Sequence, residues 1–130
     1  MGEYRCGALL KQINDFMEKN ANRALKEQDI TISQSGVLVL LDKKAEKMAT
    51  FKELEKSFGV SQPTMVGIIN RLEHKELVDI LADSDDKRIR RAQLTQKGAD
   101  KCREGYKHMK AAEDLLLSSL TTEEKKEFLR

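Results

Sequence analysis

The chain has 130 residues, enough for one domain with a real hydrophobic core; 35% are charged, 5% are aromatic and none is Trp. This composition favours helices with heavily solvated faces, and a net charge of +2 is too near neutral to announce nucleic acid by itself. Two cysteines far apart, Cys6 and Cys102, with no CxxC or Cys/His cluster, exclude a disulfide framework and argue against a zinc site.

The N-terminus, MGEYRCGALL, lacks the apolar core and cleavage site of a signal peptide, and no apolar run approaches the roughly 18 residues of a membrane span. A soluble, cytoplasmic protein without membrane contact is expected, with both thiols reduced. Residues 4–28 predict one long helix. Cys6, Leu9, Ile13, Phe16 and Asn20 recur at three- and four-residue steps, and Leu10, Met17, Ala24 and Leu25 widen the stripe. A helix so long and narrowly striped needs the rest of the domain, or a second chain, to cover it.

In ITISQSGVLVLLDKK, Thr31 and Gln34 make a capping box, and Val37, Leu38, Leu40 and Leu41 form a buried face. VLVLL also has the period of a strand, but the capping signal and polar flanks favour a helix. A second capping box, Thr50 with Glu53, opens a short helix whose apolar side is Phe51, Leu54 and Phe58. Gly59 ends it in the left-handed conformation, and Val60 plugs the turn. Ser61 caps the following helix, about 62–75, with Pro63 tolerated in its first turn. Met65, Ile68, Ile69 and Leu72 point inward. Gln62, Pro63, Val66, Gly67, Asn70 and Arg71 remain on or beside the outer face. An outer face of amides, small residues and one Arg is unlike an ordinary solvated face, and it suits hydrogen bonding to base edges at close approach.

After Leu77 the period becomes two. LVDILA and IRRAQL predict a hairpin joined by the loop DSDDKR. From Lys87 to Arg103 the chain carries Lys87, Arg88, Arg90, Arg91, Lys97, Lys101 and Arg103 against the single acid Asp100, an excess suited to phosphate contact. Thr95 caps a last long helix, expected to reach about Ser119, striped by Ala99, Cys102, Tyr106, Met109, Ala112, Leu116 and Leu120. Thr121 with Glu124 starts another that stops at Arg130 after barely two turns, as though part of an association surface were missing. The expected fold is mainly α with a small β-hairpin wing: a winged helix-turn-helix at about 31–94, flanked by long helices at about 4–28 and 95–130, within one domain of 1–130.

These residues resemble the MarR family of winged-helix transcription regulators over nearly the whole chain. The resemblance is carried by ITISQSGVLVLL, by SFGVSQPTMVGIINRLEHKELV and above all by DSDDKRIRRAQLTQKG. The last matches an Asp-x-Arg wing followed by a strand and Leu-Thr-x-x-Gly, here Asp86, Arg88, Leu94, Thr95 and Gly98. The resemblance implies a homodimer clamped by the first and last helices, binding double-stranded DNA at a pseudo-palindromic operator, most simply as a repressor. Ser61, Gln62, Pro63, Thr64, Gly67 and Arg71 would line the major groove. Arg88, held by Asp86, would enter the minor groove, and Lys87 and Arg90 would meet phosphate. A small aromatic or amphipathic effector would shift the spacing of the two heads from a pocket where the long helices meet the DNA-binding part, lined by Phe16, Met17 and Tyr106. Two departures stand out. Gly67 sits where many members carry a polar or basic side chain, and Glu76 sits where the family often has Gly, so the second motif helix is expected to end without a glycine cap.

Two other readings use the same scaffold: a thiol-based redox sensor acting through Cys6, and a winged helix serving protein–protein contact. Burial of both cysteines in inert settings is the expectation that counts against the first. With two histidines, His74 and His108, no glycine-rich phosphate loop and no paired acid–base or metal motif, catalysis and a resident cofactor are not expected.

Overall fold

A computed structural model describes residues 4–130. In chain order the elements are α1 (Arg5–Glu27), α2 (Ile32–Lys43), β1 (Met48–Thr50), α3 (Phe51–Phe58), α4 (Gln62–His74), β2 (Val78–Ala82), β3 (Arg90–Leu94), α5 (Gln96–Leu116) and α6 (Thr122–Leu129). Among the described residues none of these helices is long and apolar enough to cross a membrane.

The core lies where α2, α3, α4 and the sheet meet. Val37, Leu38 and Leu41 from α2 pack with Leu54, Met65, Ile69, Leu72, Leu77, Val78 and Ala92, all essentially without solvent contact. Each fully buried Leu, Ile or Met contributes about 1.5–3 kcal/mol relative to exposure. VLVLL is therefore helical, as its capping box predicts. Thr31 Oγ1 accepts from the Gln34 backbone N–H (3.1 Å) and Gln34 Oε1 accepts in return (3.4 Å). Gln34 is the buried polar side chain of this core, and its oxygen also accepts from Lys75 Nζ at 2.9 Å.

The sheet differs from the expected two-stranded hairpin. It has three antiparallel strands in the order β1-β3-β2, with Ala49 opposite Ala92 and Ile80 opposite Ala92. The three residues of β1 are too few to show a period, so pairing with β3 creates this strand rather than local propensity. The Thr50 cap is also half of what was expected. Thr50 Oγ1 accepts from the Glu53 N–H (3.0 Å), but the Glu53 carboxylate accepts from that hydroxyl and faces Lys44 at 3.7 Å instead of closing the box. α5 ends at Leu116, about a turn before Ser119.

Three turns share one device, a left-handed residue after which an N–H reaches back five residues. Gly59 (φ 62°) does this with Val60 N–H to Glu55 C=O (3.2 Å), Asp29 (φ 56°) with Ile30 to Leu25 (3.0 Å), and Glu76 (φ 63°) with Leu77 to Leu72 (2.9 Å). The left-handed turn after α4, where the resemblance implies a glycine, is thus made by a glutamate, at a backbone cost. Thr95 fastens this same corner. Its Oγ1 donates to the Glu76 carbonyl (2.8 Å) and accepts from the Gly98 N–H (3.0 Å), while its N–H donates to the Leu77 carbonyl (3.1 Å). Gly98 is there because nothing larger fits: a Cβ would lie 2.2 Å from the Leu77 carbonyl oxygen and 2.7 Å from Leu94 Cδ1.

Two substitutions at this corner should move stability in opposite directions. Glu76→Gly relieves the left-handed strain and should stabilise by about 1 kcal/mol, whereas Gly98→Ala must displace backbone and should cost about 1–3 kcal/mol. Urea unfolding of the two variants checks both signs.

Candidate nucleic-acid interface

The turn between α3 and α4 puts the first turn of α4 at the surface. Ser61, the N-cap, accepts weakly from the Thr64 N–H (3.4 Å) and donates to Thr64 Oγ1 (2.9 Å). Ser61, Gln62, Pro63, Thr64 and Arg71 are exposed and Gly67 is half-buried, while Met65, Ile69 and Leu72 face the core. Ile68, expected to point inward, is partly buried and packs against the core. Pro63, Thr64, Gly67 and Arg71 border a concavity of about 600 Å³ whose other wall is the start of α2, Thr31 to Gln34.

Gly67 has no packing reason to be glycine. A Cβ there would meet only Arg71 Nη1, at 3.6 Å, an ordinary contact. A glycine inside a helix costs roughly 0.5–1 kcal/mol relative to Ala, so the fold alone gives no ground for this choice.

The wing tip is built on two aspartates. Asp83 Oδ2 accepts from the N–H groups of Asp85 (3.2 Å) and Asp86 (3.1 Å), and Oδ1 accepts from Arg91 Nη2 at 3.2 Å. Asp86 takes the Arg88 side chain in a fork, Nε to Oδ1 at 3.1 Å and Nη2 to Oδ2 at 3.0 Å, and also accepts the Arg88 N–H (3.0 Å). The Arg88 side chain remains 91% exposed, so this pair orients the guanidinium rather than stabilising the fold. Both carboxyls are held below the usual aspartate range: Asp83 first by the Asp86 N–H and then by Arg91, Asp86 by the Arg88 side chain and then its N–H. Arg90 lies over the Phe51 ring, 4.6 Å from its centroid, tying the wing to the start of α3.

The basic excess between Lys87 and Arg103 does not form one patch. Arg91 pairs with Asp83, Lys97 with Glu76 (3.6 Å) and Arg103 with Asp100. Lys101 donates to the Gln28 carbonyl at 2.9 Å. Helical phase carries α5 away from the wing, leaving the outward charge at Lys87, Arg88 and Arg90. Sequence reasoning missed the bracing pair Asp83–Arg91. Its signal was present in the alternation of the hairpin, which sets the two at opposite ends of the loop.

Between α1, α2 and α5 lies a cavity of about 530 Å³ with a mostly apolar lining. Met17 and Tyr106 line it; Phe16 does not, being half-buried elsewhere on α1. Tyr106 Oη donates to Asp42 Oδ2 at 3.4 Å. Cys102 also lines the cavity and is buried, which pushes its thiol up to about 11. Cys6, expected to be buried, is exposed, as are all of residues 5–12 at the start of α1 among the described residues.

A helix-turn-helix whose second helix presents an uncluttered face, beside a braced three-stranded wing, defines a winged helix-turn-helix protein. Residues 28–89, from the turn before α2 to the wing tip, match the model of the MarR family. Similar solved structures extend the likeness across nearly the whole chain. The apo form of wild-type MarR from E. coli is 28% identical over 95% of this chain and 91% of that one, with a TM-score of 0.75. YusO from Bacillus subtilis is 26% identical over 98% and 86%, with a TM-score of 0.81. MepR from S. aureus in complex with DNA is 25% identical over 94% and 90%, also with a TM-score of 0.81. No curated protein sequence matches the chain.

Two measurements probe this geometry. The depressed aspartates make the wing pairs complete near neutral pH and lose them as pH falls through the lowered values. In an NMR titration the Arg88 Nε–H should follow Asp86 and that of Arg91 should follow Asp83, with Asp83→Asn silencing only the second. A thiol reagent near neutral pH should modify Cys6 quickly and Cys102 only on unfolding, since the buried thiol stays protonated.

Proposed function

We propose that the chain is a sequence-specific, double-stranded-DNA-binding transcriptional regulator of the cytoplasm, acting as a homodimeric repressor on a pseudo-palindromic operator. The observation that carries this reading is the wing guanidinium of Arg88, forked onto Asp86 yet almost fully exposed, beside an outer face of α4 that carries one cation and, among the described residues, no ion pair. A side chain fixed in direction and left in water is suited to a partner that arrives from outside. The likeness to a MepR chain solved with DNA supports the same partner. Ser61, Gln62, Pro63, Thr64, Gly67 and Arg71 face the major groove, Arg88 the minor groove, and Lys87 and Arg90 the flanking phosphates. Phosphate contacts set register and affinity, while α4 discriminates sequence.

Self-association is supported by apolar side chains left in water on the arms: Leu9 and Leu10 on α1, Met109 and Leu115 on α5, Phe128 and Leu129 on α6. Apolar side chains exposed on all three arm helices are the kind of surface that self-association would cover. A two-fold pair of heads places the α4 helices about one DNA turn, roughly 34 Å, apart. The cavity beside Met17 and Tyr106 suits a small aromatic or amphipathic effector. Such a ligand acts only by binding one head spacing better than the other. The exposed Cys6 keeps a redox role open to test: peroxide treatment that changes operator affinity in the native protein but not in Cys6→Ser would favour it.

Arg88→Ala should weaken binding to all duplexes and lower the slope of log affinity against log salt by about 0.9 per wing, because fewer counterions are released. An unchanged slope would remove Arg88 from the interface. Failure to bind any duplex at low salt would instead favour a protein-contact role for the wing. Sedimentation should give a dimer at micromolar concentration, and Leu10→Glu with Phe128→Glu should shift it toward monomer.

A further inference from the structure

We infer that Arg71 reads a guanine at the base pair faced by Gly67, one helical turn nearer the start of α4 than its own position, and that Gly67 exists to clear this path. The inference rests on the DNA-binding reading above and specifies what its recognition helix recognises.

Three observations converge. Helical side chains lean toward the N-terminus, so residue 71 covers the surface over residue 67. Here that lean is realised: Arg71 Nη1 lies 3.6 Å from where a Cβ of Gly67 would be, and among the described residues, the adjacent residues and the helix's own backbone apart, no other atom comes within 4 Å of that point. The guanidinium thus occupies the space that a side chain at 67 would fill. Second, Arg71 is the only Lys or Arg of α4, is exposed, and has no carboxylate within ion-pair reach among the described residues. A surface arginine without an acid, on a helix whose Glu73 lies two residues on, keeps its fork of donors available. Third, the neighbours on this face, Pro63 and Thr64, carry no charge and border the same concavity. A planar fork aimed across an uncharged, small-residue face matches the paired acceptors O6 and N7 of guanine in the major groove. A glycine that weakens the helix and packs against nothing is accounted for, since a longer side chain would deflect the guanidinium.

The test is selection of bound duplexes from a random library by the full chain, followed by affinity measurements on the selected site with each base at the inferred position. The native protein should select a guanine in each half-site, and replacing it should cost about 5- to 150-fold. Arg71→Ala and Arg71→Lys should both lose that preference, Lys retaining the salt slope because it keeps the charge but not the fork. Gly67→Leu should lose it too with Arg71 intact, while melting no lower than the native protein because leucine favours the helix. If Gly67→Leu melts lower, the Arg71→Lys comparison decides. Arg71→Ala weakening every sequence equally and lowering the salt slope would overturn the inference and make Arg71 a phosphate contact. So would a retained guanine preference in a stably folded Gly67→Leu. Selected sites lacking the guanine would remove this inference alone. No binding to any duplex would remove the regulator reading with it.

Discussion

The architecture depends on one small corner, the meeting of Glu76, Leu77, Thr95 and Gly98. There α4 ends, the wing begins and closes, and α5 starts. Thr95 supplies three of the hydrogen bonds that hold these directions together, and Gly98 lets the start of α5 lie against the Leu77 carbonyl. The angle between the proposed recognition helix and the long arm is fixed by contacts at hydrogen-bond distance, with no flexible linker between them. The Leu-Thr-x-x-Gly pattern is therefore a structural requirement before it is a family label.

A second set of ties fixes the turn between α1 and α2. Lys75, at the end of α4, donates to the Asp29 carbonyl and to buried Gln34, and Lys101 of α5 donates to the Gln28 carbonyl. Lysine ammonium groups thus supply donors to the carbonyls of this turn. Tilting either arm must break or carry these bonds, so α4 is tied to the elements that line the cavity between α1, α2 and α5. Lys101, which charge counting groups with the basic run, is engaged here in holding the turn.

Much of this was legible in the chain. Capping residues marked the helix starts at Thr31, Ser61, Thr95 and Thr121, and apolar spacing found the core faces of α2, α3 and α4 correctly. These signals are local, and local signals survive in one dimension. What stayed hidden required knowing which groups meet across the fold. β1 exists through its partner strand. Asp83 braces Arg91 across eight residues, Arg90 finds Phe51, and the basic run divides because α5 turns its charges away. Cys6 was misplaced because an apolar stripe shows which face wants cover but not whether this chain supplies it. The residues proposed for base contact lie together on the outer side of α4 and its cap, but the lean of Arg71 over Gly67 needed coordinates.

The cation–π contact of Arg90 with Phe51 has a mechanical meaning beyond its energy. Thr50 closes β1 and also caps α3, so sheet and helix-turn-helix share a residue, and the arginine clasps them a second time. Wing and helix-turn-helix are thereby joined at two points, like the arms of a caliper. Under the proposed function, a duplex gripped by such a head would do the conforming itself. Sequences whose intrinsic groove width and bendability already match the caliper would bind without the elastic penalty that others incur. Discrimination would then extend to base pairs that no side chain touches.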